Sequence, residues 1–179
     1  MLTLELFTND VLDSWPELLH KSERQLQIAV MRAMNKTLRW ARTQVARTSA
    51  TSLKINVKSV KKGLVMVRAS PSRLDATLGL SASAGVIKGN DIGAPRQHVR
   101  GVRAGRHRFD GAFIARMPSG HQGIFRRQSK ARLPIREVQL VLTGKMQDEM
   151  AALVDGPLKA QFERLLVREL RYMAGIDNG

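Results

Sequence analysis

Phe109-Asp110-Gly111-Ala112-Phe113-Ile114-Ala115-Arg116, running through Met117-Pro118-Ser119-Gly120-His121 into Gly123-Ile124-Phe125-Arg126-Arg127, reads as a β-hairpin. Two short runs of apolar and β-branched residues flank a Pro-Ser-Gly turn, and turn residues between such runs are the local signal for paired strands. Arg132-Leu133-Pro134-Ile135 follows as an extended segment, because Pro134 pushes Leu133 out of the helical region. An antiparallel sheet is therefore the centre from which the rest of the chain is read.

Upstream, residues 1–15 read as an extended or irregular lead, and Pro16 suits the first turn of a helix capped by Ser14 or Trp15. From 17 to about 48 the pattern is helical. Leu19, Leu26, Val30, Ala33, Met34, Thr37, Ala41 and Val45 recur at three- and four-residue steps, with Arg32, Lys36, Arg39 and Arg47 on the opposite side. That basic side reads as a solvated face. Ser49-Ala50-Thr51-Ser52 is expected to end the helix.

Asn56 can cap a short turn carrying Val57 and Val60, with Gly63 as its stop, and Leu64-Val65-Met66-Val67 is a strand candidate. Residues 74–87 read as one or two strands with a bend near Gly79 or Gly85, and 89–95 as a loop. Residues 95–108 read as a basic loop holding Arg96, His98, Arg100, Arg103, Arg106, His107 and Arg108, with Gly101 and Gly105 opposing a helix. After 142 helices return. Met146, Met150, Leu153 and Val154 form one stripe, and Leu158, Phe162, Leu165, Leu166, Leu170 and Met173 a second, stopped by Gly175. The order predicts an α+β fold: a long N-terminal helix (16–48) and C-terminal helices (144–175) packed on a mainly antiparallel sheet (strands in 64–127). With 179 residues and no linker-like stretch, residues 1–179 are expected to form one domain.

The chain has no cysteine, which removes disulfides, zinc–thiolate sites and thiol nucleophiles and fits assembly in a reducing cytoplasm. No apolar run reaches the roughly 18 residues that span a bilayer. Glu5, Asp10 and Asp13 stand where a signal peptide carries positive charge, so a soluble, unexported protein is expected. The net charge of +15, from 30 Lys and Arg against 15 Asp and Glu, favours a polyanion or an acidic protein partner.

Motifs for chemistry are weak. His20, His98, His107 and His121 make no HExxH pair and adjoin no compact set of carboxylates, so no metal site is expected. Gly79-Leu80-Ser81-Ala82-Ser83 half-matches a nucleophile elbow but has Ser where the strained turn needs Gly. No glycine-rich loop ends in Gly-Lys-Ser/Thr, and no pair of carboxylates converges. The expectation is a non-enzyme without a cofactor. Arg96, Arg100, Arg103, Arg106 and Arg108 could follow phosphates without reading bases, and their guanidinium forks suit the carboxylates of an acidic neighbouring subunit equally. A membrane-surface helix fits poorly, because the apolar stripe carries Ala and Thr where insertion favours large side chains.

The hairpin order, a Gly-Ala-Phe-Ile strand, a glycine turn, an Arg-bearing return strand and then Leu-Pro-Ile, resembles the minor tail protein Z family of tailed bacteriophages. A second stretch agrees in order: Ala29-Val30-Met31-Arg32-Ala33-Met34-Asn35-Lys36-Thr37, followed by Gln44-Val45-Ala46-Arg47. Small residues there let another element approach closely, and Asn35, off the apolar stripe, is placed to bond a strand or loop. The resemblance covers roughly 25–137. It implies a structural virion protein similar to tail completion proteins, acting at the head-proximal end of the tail where it joins the capsid. It implies as partners other tail and neck proteins (tail terminator, head–tail connector), a homo-oligomeric ring of six copies, and no membrane. Contact with a neighbouring subunit or nonspecific contact with packaged DNA would fall to the five arginines, and sheet or subunit packing to Phe113, Ile114, Ile124 and Phe125. The alternative is a small basic protein that binds nucleic acid without specificity, free in the cytoplasm.

Overall fold

The computed structural model describes residues 2–4, 23–81 and 86–175. The chain is α+β, in the order β1 (Leu2–Leu4), α1 (Glu23–Leu53), α2 (Val57–Lys62), β2 (Leu64–Val67), β3 (Ala76–Leu80), β4 (Val86–Lys88), α3 (Gly89–Ile92) and β5 (Pro95–His98). It continues through β6 (Gly101–Ala104), β7 (His107–Asp110), β8 (Ala112–Arg116), β9 (Gln122–Arg127), β10 (Ile135–Glu137), β11 (Gln139–Val141), α4 (Thr143–Val154) and α5 (Leu158–Ala174). The strands form four small sheets, ordered β1-β3-β2, β10-β9-β8, β11-β4 and β5-β6-β7. The helix start at Pro16 with its Ser14 or Trp15 cap, Leu19, and the bend near Gly85 lie outside the described residues.

Two compact units are present. Residues 1–44, 65–79 and 149–179 make the first, and 45–64 with 80–148 the second, so α1 contributes to both. In the first unit Val30, Ala33, Met34, Thr37, Leu38 and Ala41 of α1 are buried, as are Leu158, Phe162, Leu166 and Leu170 of α5. The latter four recur every fourth residue, one stripe along a helix. Burying each such leucine or phenylalanine contributes about 1.5–3 kcal/mol. Val154 departs from the expected stripe, being 46% exposed at the end of α4.

The helix α1 does not stop at Ser49. It runs 31 residues, about 46 Å at 1.5 Å per residue, because Ala50 favours helix, Ser49 and Ala50 are buried, and tertiary packing outweighs the weak helix preference of Ser49, Thr51 and Ser52. Its stop is built later. The Lys54 N–H donates to Thr51 O (3.2 Å) and the Ile55 N–H to Ala50 O (3.0 Å), with Lys54 at φ 52°. This is the paired closure of a Schellman motif with lysine where glycine is usual. The next helix, α2, is capped as expected by Asn56, whose Oδ1 accepts from the Lys58 N–H at 2.9 Å, and Gly63 closes it.

In the second unit Val60, Leu64, Ile87, Ile92, Val102, Ala104, Ala112, Ile124, Phe125, Leu142 and Met146 are buried. The expected loop at 89–95 is instead the single turn α3 followed by the start of β5. Gly89 makes this possible: its N–H donates to Val138 O at 3.0 Å, and a Cβ there would stand 2.7 Å from Ile124 Cδ1. The expected basic loop at 95–108 is also absent. Those residues are the antiparallel meander β5-β6-β7, turning at 99–100 and at Gly105 (φ 58°). Among the described residues no helix is long and apolar enough to cross a membrane.

Candidate functional site

The meander converts the arginine cluster into a patterned surface. Successive strand residues face opposite sides of a sheet, and the register sorts them cleanly. Arg96 pairs with Arg103, and Arg103 with Arg108, so the three stand in one row across three strands. The next row on the same side is His98, Gly101 and Asp110. The other side carries Gln97, Val102 and Phe109 in one row and Pro95, Ala104 and His107 in another, with Val102 and Ala104 fully buried.

Neighbouring strands lie about 4.8 Å apart, so the arginine row spans roughly 10 Å. Like charges directly opposite one another are unfavourable in a sheet. Among the described residues the one carboxylate that pairs with this row is Asp110, whose Oδ1 accepts from Arg108 Nε at 2.9 Å, and both side chains are more than half exposed. Arg103 Nε also reaches Gly105 O at 3.3 Å. Arg106, in the turn after β6, joins Arg103, Arg108 and His98 around a groove of about 300 Å³. Arg100 sits in the opposite turn, between β5 and β6. Thus Arg96, Arg103 and Arg108 come together on one face, Arg106 borders it, and Arg100 stands apart at the far end.

Backbone geometry demands glycine at the middle of the second row. Gly101 has φ 151°, and a Cβ there would lie 2.1 Å from Phe109 O, so only glycine fits between the flanking strands. Two side chains on the inner side, neither evident from sequence, fix the sheet in place. Gln97 donates through Nε2 to Gly101 O (3.0 Å), and its Oε1 accepts from the Ile114 N–H (3.0 Å), tying β5 to β8. His107, expected in a basic loop, stacks on Phe109 and hydrogen-bonds through Nε2 to Leu53 O (2.7 Å), one of the carbonyls left open at the end of α1.

The hairpin β8–β9 pairs Phe113 with Phe125 and Ile114 with Ile124. Its turn is closed by the Met117 N–H on His121 O and the Gly120 N–H on Met117 O. Of the four side chains expected to serve sheet or subunit packing, two are taken up by packing within the chain. Ile124 is fully buried and Phe125 is 6% exposed, each covered on its own side of β9, while Phe113 and Ile114 are half-buried. Arg127 lies 5.7 Å over the Phe113 ring, a cation–π arrangement. Beneath the turn, Glu137 accepts from His121 Nε2 (2.8 Å) and from Lys88 Nζ (3.3 Å).

On α1, the residues Asn35, Lys36 and Thr37 each make a distinct contact. Asn35 Nδ2 donates to Ala69 O and Oδ1 accepts from the Ala69 N–H, both at 3.0 Å. Lys36, expected on a solvated face, instead pairs with the buried Glu169 of α5. Thr37 is fully buried and its Oγ1 donates back to Ala33 O at 2.9 Å. Around them Arg32, Arg39 and Arg68 border a second basic groove of about 230 Å³. Arg68, between β2 and β3, reaches this patch through the fold and had no signal in the helix pattern. Among the described residues no three of His, Asp and Glu converge as they would on a metal ion.

A family model described as prophage minor tail protein Z (GPZ) matches residues 16–175 of the 179, extending past the hairpin through both C-terminal helices. No curated protein and no solved structure matches the chain.

Proposed function

Because the chain belongs to the prophage minor tail protein Z family, whose role in the phage tail is structural, we propose that it is a tail completion protein at the head-proximal end of the tail. The match over 16–175 is the observation that carries this reading, since it takes in the long helix, the hairpin and the last helix together. In the proposal the chain assembles as a ring of six, following tail symmetry, between the tail terminator and the head–tail connector. Phe113 and Ile114 are the hairpin side chains left half-exposed for a neighbouring copy. We assign it no catalytic residue and no cofactor.

Phage particles made without this chain test the reading. Finished tails and DNA-filled heads should accumulate apart and join when purified protein is added. Joining at a normal rate without it, or a label on the chain found at the distal tip, would overturn the placement. Absence from virions would favour a free nucleic-acid-binding protein instead. Native mass measurement of the assembled form should give six copies, and any other closed number would refute the hexamer.

A further inference from the structure

We propose that the outer face of β5-β6-β7, with the row Arg96, Arg103 and Arg108 and the bordering Arg106, binds the phosphate backbone of duplex DNA without sequence preference. The register places three like charges directly opposite one another, an arrangement that costs stability in the isolated chain. The nearby carboxylate of Asp110 answers only Arg108. A ligand carrying closely spaced negative charges relieves that repulsion, and Gly101, the middle position of the second row, leaves space for it between His98 and Asp110.

Both an acidic protein and a nucleic acid have such charges, and the composition of the face decides between them. Protein–protein interfaces centre on apolar and aromatic side chains inside a polar rim. Here the centre is arginine with His98, and the one apolar side chain beside it, Val99, stands fully exposed in a turn. Protein–DNA interfaces are the more polar and more positively charged kind. Gathering carboxylates opposite this row would repeat the like-charge cost on the partner's side. In duplex DNA the phosphates are already fixed, and their condensed counterions are released on binding. Among the described residues no helix and no Phe, Tyr or Trp side chain stands on this face, so contacts stay on the phosphate backbone and carry no sequence information.

The test uses the full chain and a mixed-sequence duplex of about 25 base pairs, with affinity measured from 50 to 200 mM salt. Four arginine–phosphate contacts give a log–log salt slope near −3.6, or about 150-fold weaker binding across that range. Replacing Arg96, Arg103 and Arg108 together by Gln should reduce the slope by about 2.7. Replacing Arg32, Arg39 and Arg68 by Gln removes the same charge elsewhere and should leave most of the slope in place. Equal loss from both triple variants would mean that net charge alone drives binding, and would overturn the proposal. So would failure to bind the duplex at 50 mM salt, or tighter, Arg103-dependent binding to polyglutamate. If the first triple variant does not fold, Arg103→Gln alone should lower the slope by about 0.9. The measurement needs no virion, so its outcome is independent of the head-proximal placement.

Discussion

Replacing Lys36 by Met should destabilise the protein far more than replacing its partner Glu169 by Gln. The asymmetry follows from burial, since the Glu169 side chain is 6% exposed and that of Lys36 34%. Removing one partner of a buried ion pair costs about 3–5 kcal/mol, because the other charge stays away from water without compensation. Lys36→Met leaves that situation at Glu169. The exposed third of the site admits some solvent, and about 3 kcal/mol is the expected loss. In a chain of this length that lowers Tm by roughly 6–12 °C. Glu169→Gln leaves a lysine that can swing into water while the glutamine amide keeps a polar partner, for a loss of about 1 kcal/mol. A Lys36→Met, Glu169→Leu double variant replaces the pair by apolar contact and should recover to within about 1 kcal/mol of the parent. Urea unfolding reads all three, with an unchanged m-value confirming that only stability has moved. A Lys36→Met loss below about 1 kcal/mol, or a double variant no better than Lys36→Met, would refute the argument from burial.

Asn35→Ala removes two hydrogen bonds and strands the buried backbone of Ala69; chemical denaturation should show a loss of about 2 kcal/mol, and no change would mean that water replaces the side chain. Gly101→Ala drives a methyl into Phe109 O and should abolish the folded state by circular dichroism, whereas a folded Ala variant would contradict the φ assigned there. Arg103→Gln should raise stability by a few tenths of a kcal/mol at low salt, with the gain fading at 1 M as the arginine row is screened. We further propose that the two units unfold as the single domain expected from length, because α1 supplies residues to both. Calorimetric and van't Hoff enthalpies should then agree, and two separated transitions would argue against it.

Sequence reading succeeded where one residue decides a local conformation. Asn56, Gly63, Gly175 and the turn at 118–120 each behave as their chemistry dictates, and β8–β9 forms the expected hairpin, although Phe109 and Asp110, expected in its first strand, belong to β7 of another sheet. It failed where charge density hid a period. Residues 95–105 alternate inward and outward as a strand pair and its turn should, but the outward strand positions are Arg96, His98, Gly101 and Arg103 and the inward ones include Pro95 and Gln97. The apolar–polar contrast that marks a half-buried strand is therefore thin, and two glycines complete the look of a loop. The end of α1 was hidden for a related reason. Serine and threonine at 49–52 disfavour helix only weakly, and burial of Ser49 and Ala50 reverses that preference. Partners distant in sequence, such as Gln97 with Ile114 or Arg68 with the α1 arginines, leave no local pattern at all.

The triplet Asn35-Lys36-Thr37 joins the two kinds of evidence. In sequence it was one of the stretches that resembled the family, and its asparagine was expected to bond a strand or loop. In the fold its three residues, on successive positions of one helix, point in three directions: to the backbone at Ala69, to Glu169 of α5, and into the core against Ala33. Consecutive helical residues diverge by about 100°, so Asn35 and Lys36 reach two separate elements while Thr37, fully buried, turns back to α1's own Ala33 carbonyl, which requires the helix to be packed on several sides. A solvated helix face gives no reason for such a run. The short polar stretch thus marks where α1 is fastened within its unit, and the arginines that flank it, Arg32 and Arg39, border the same groove as Asn35 and Lys36.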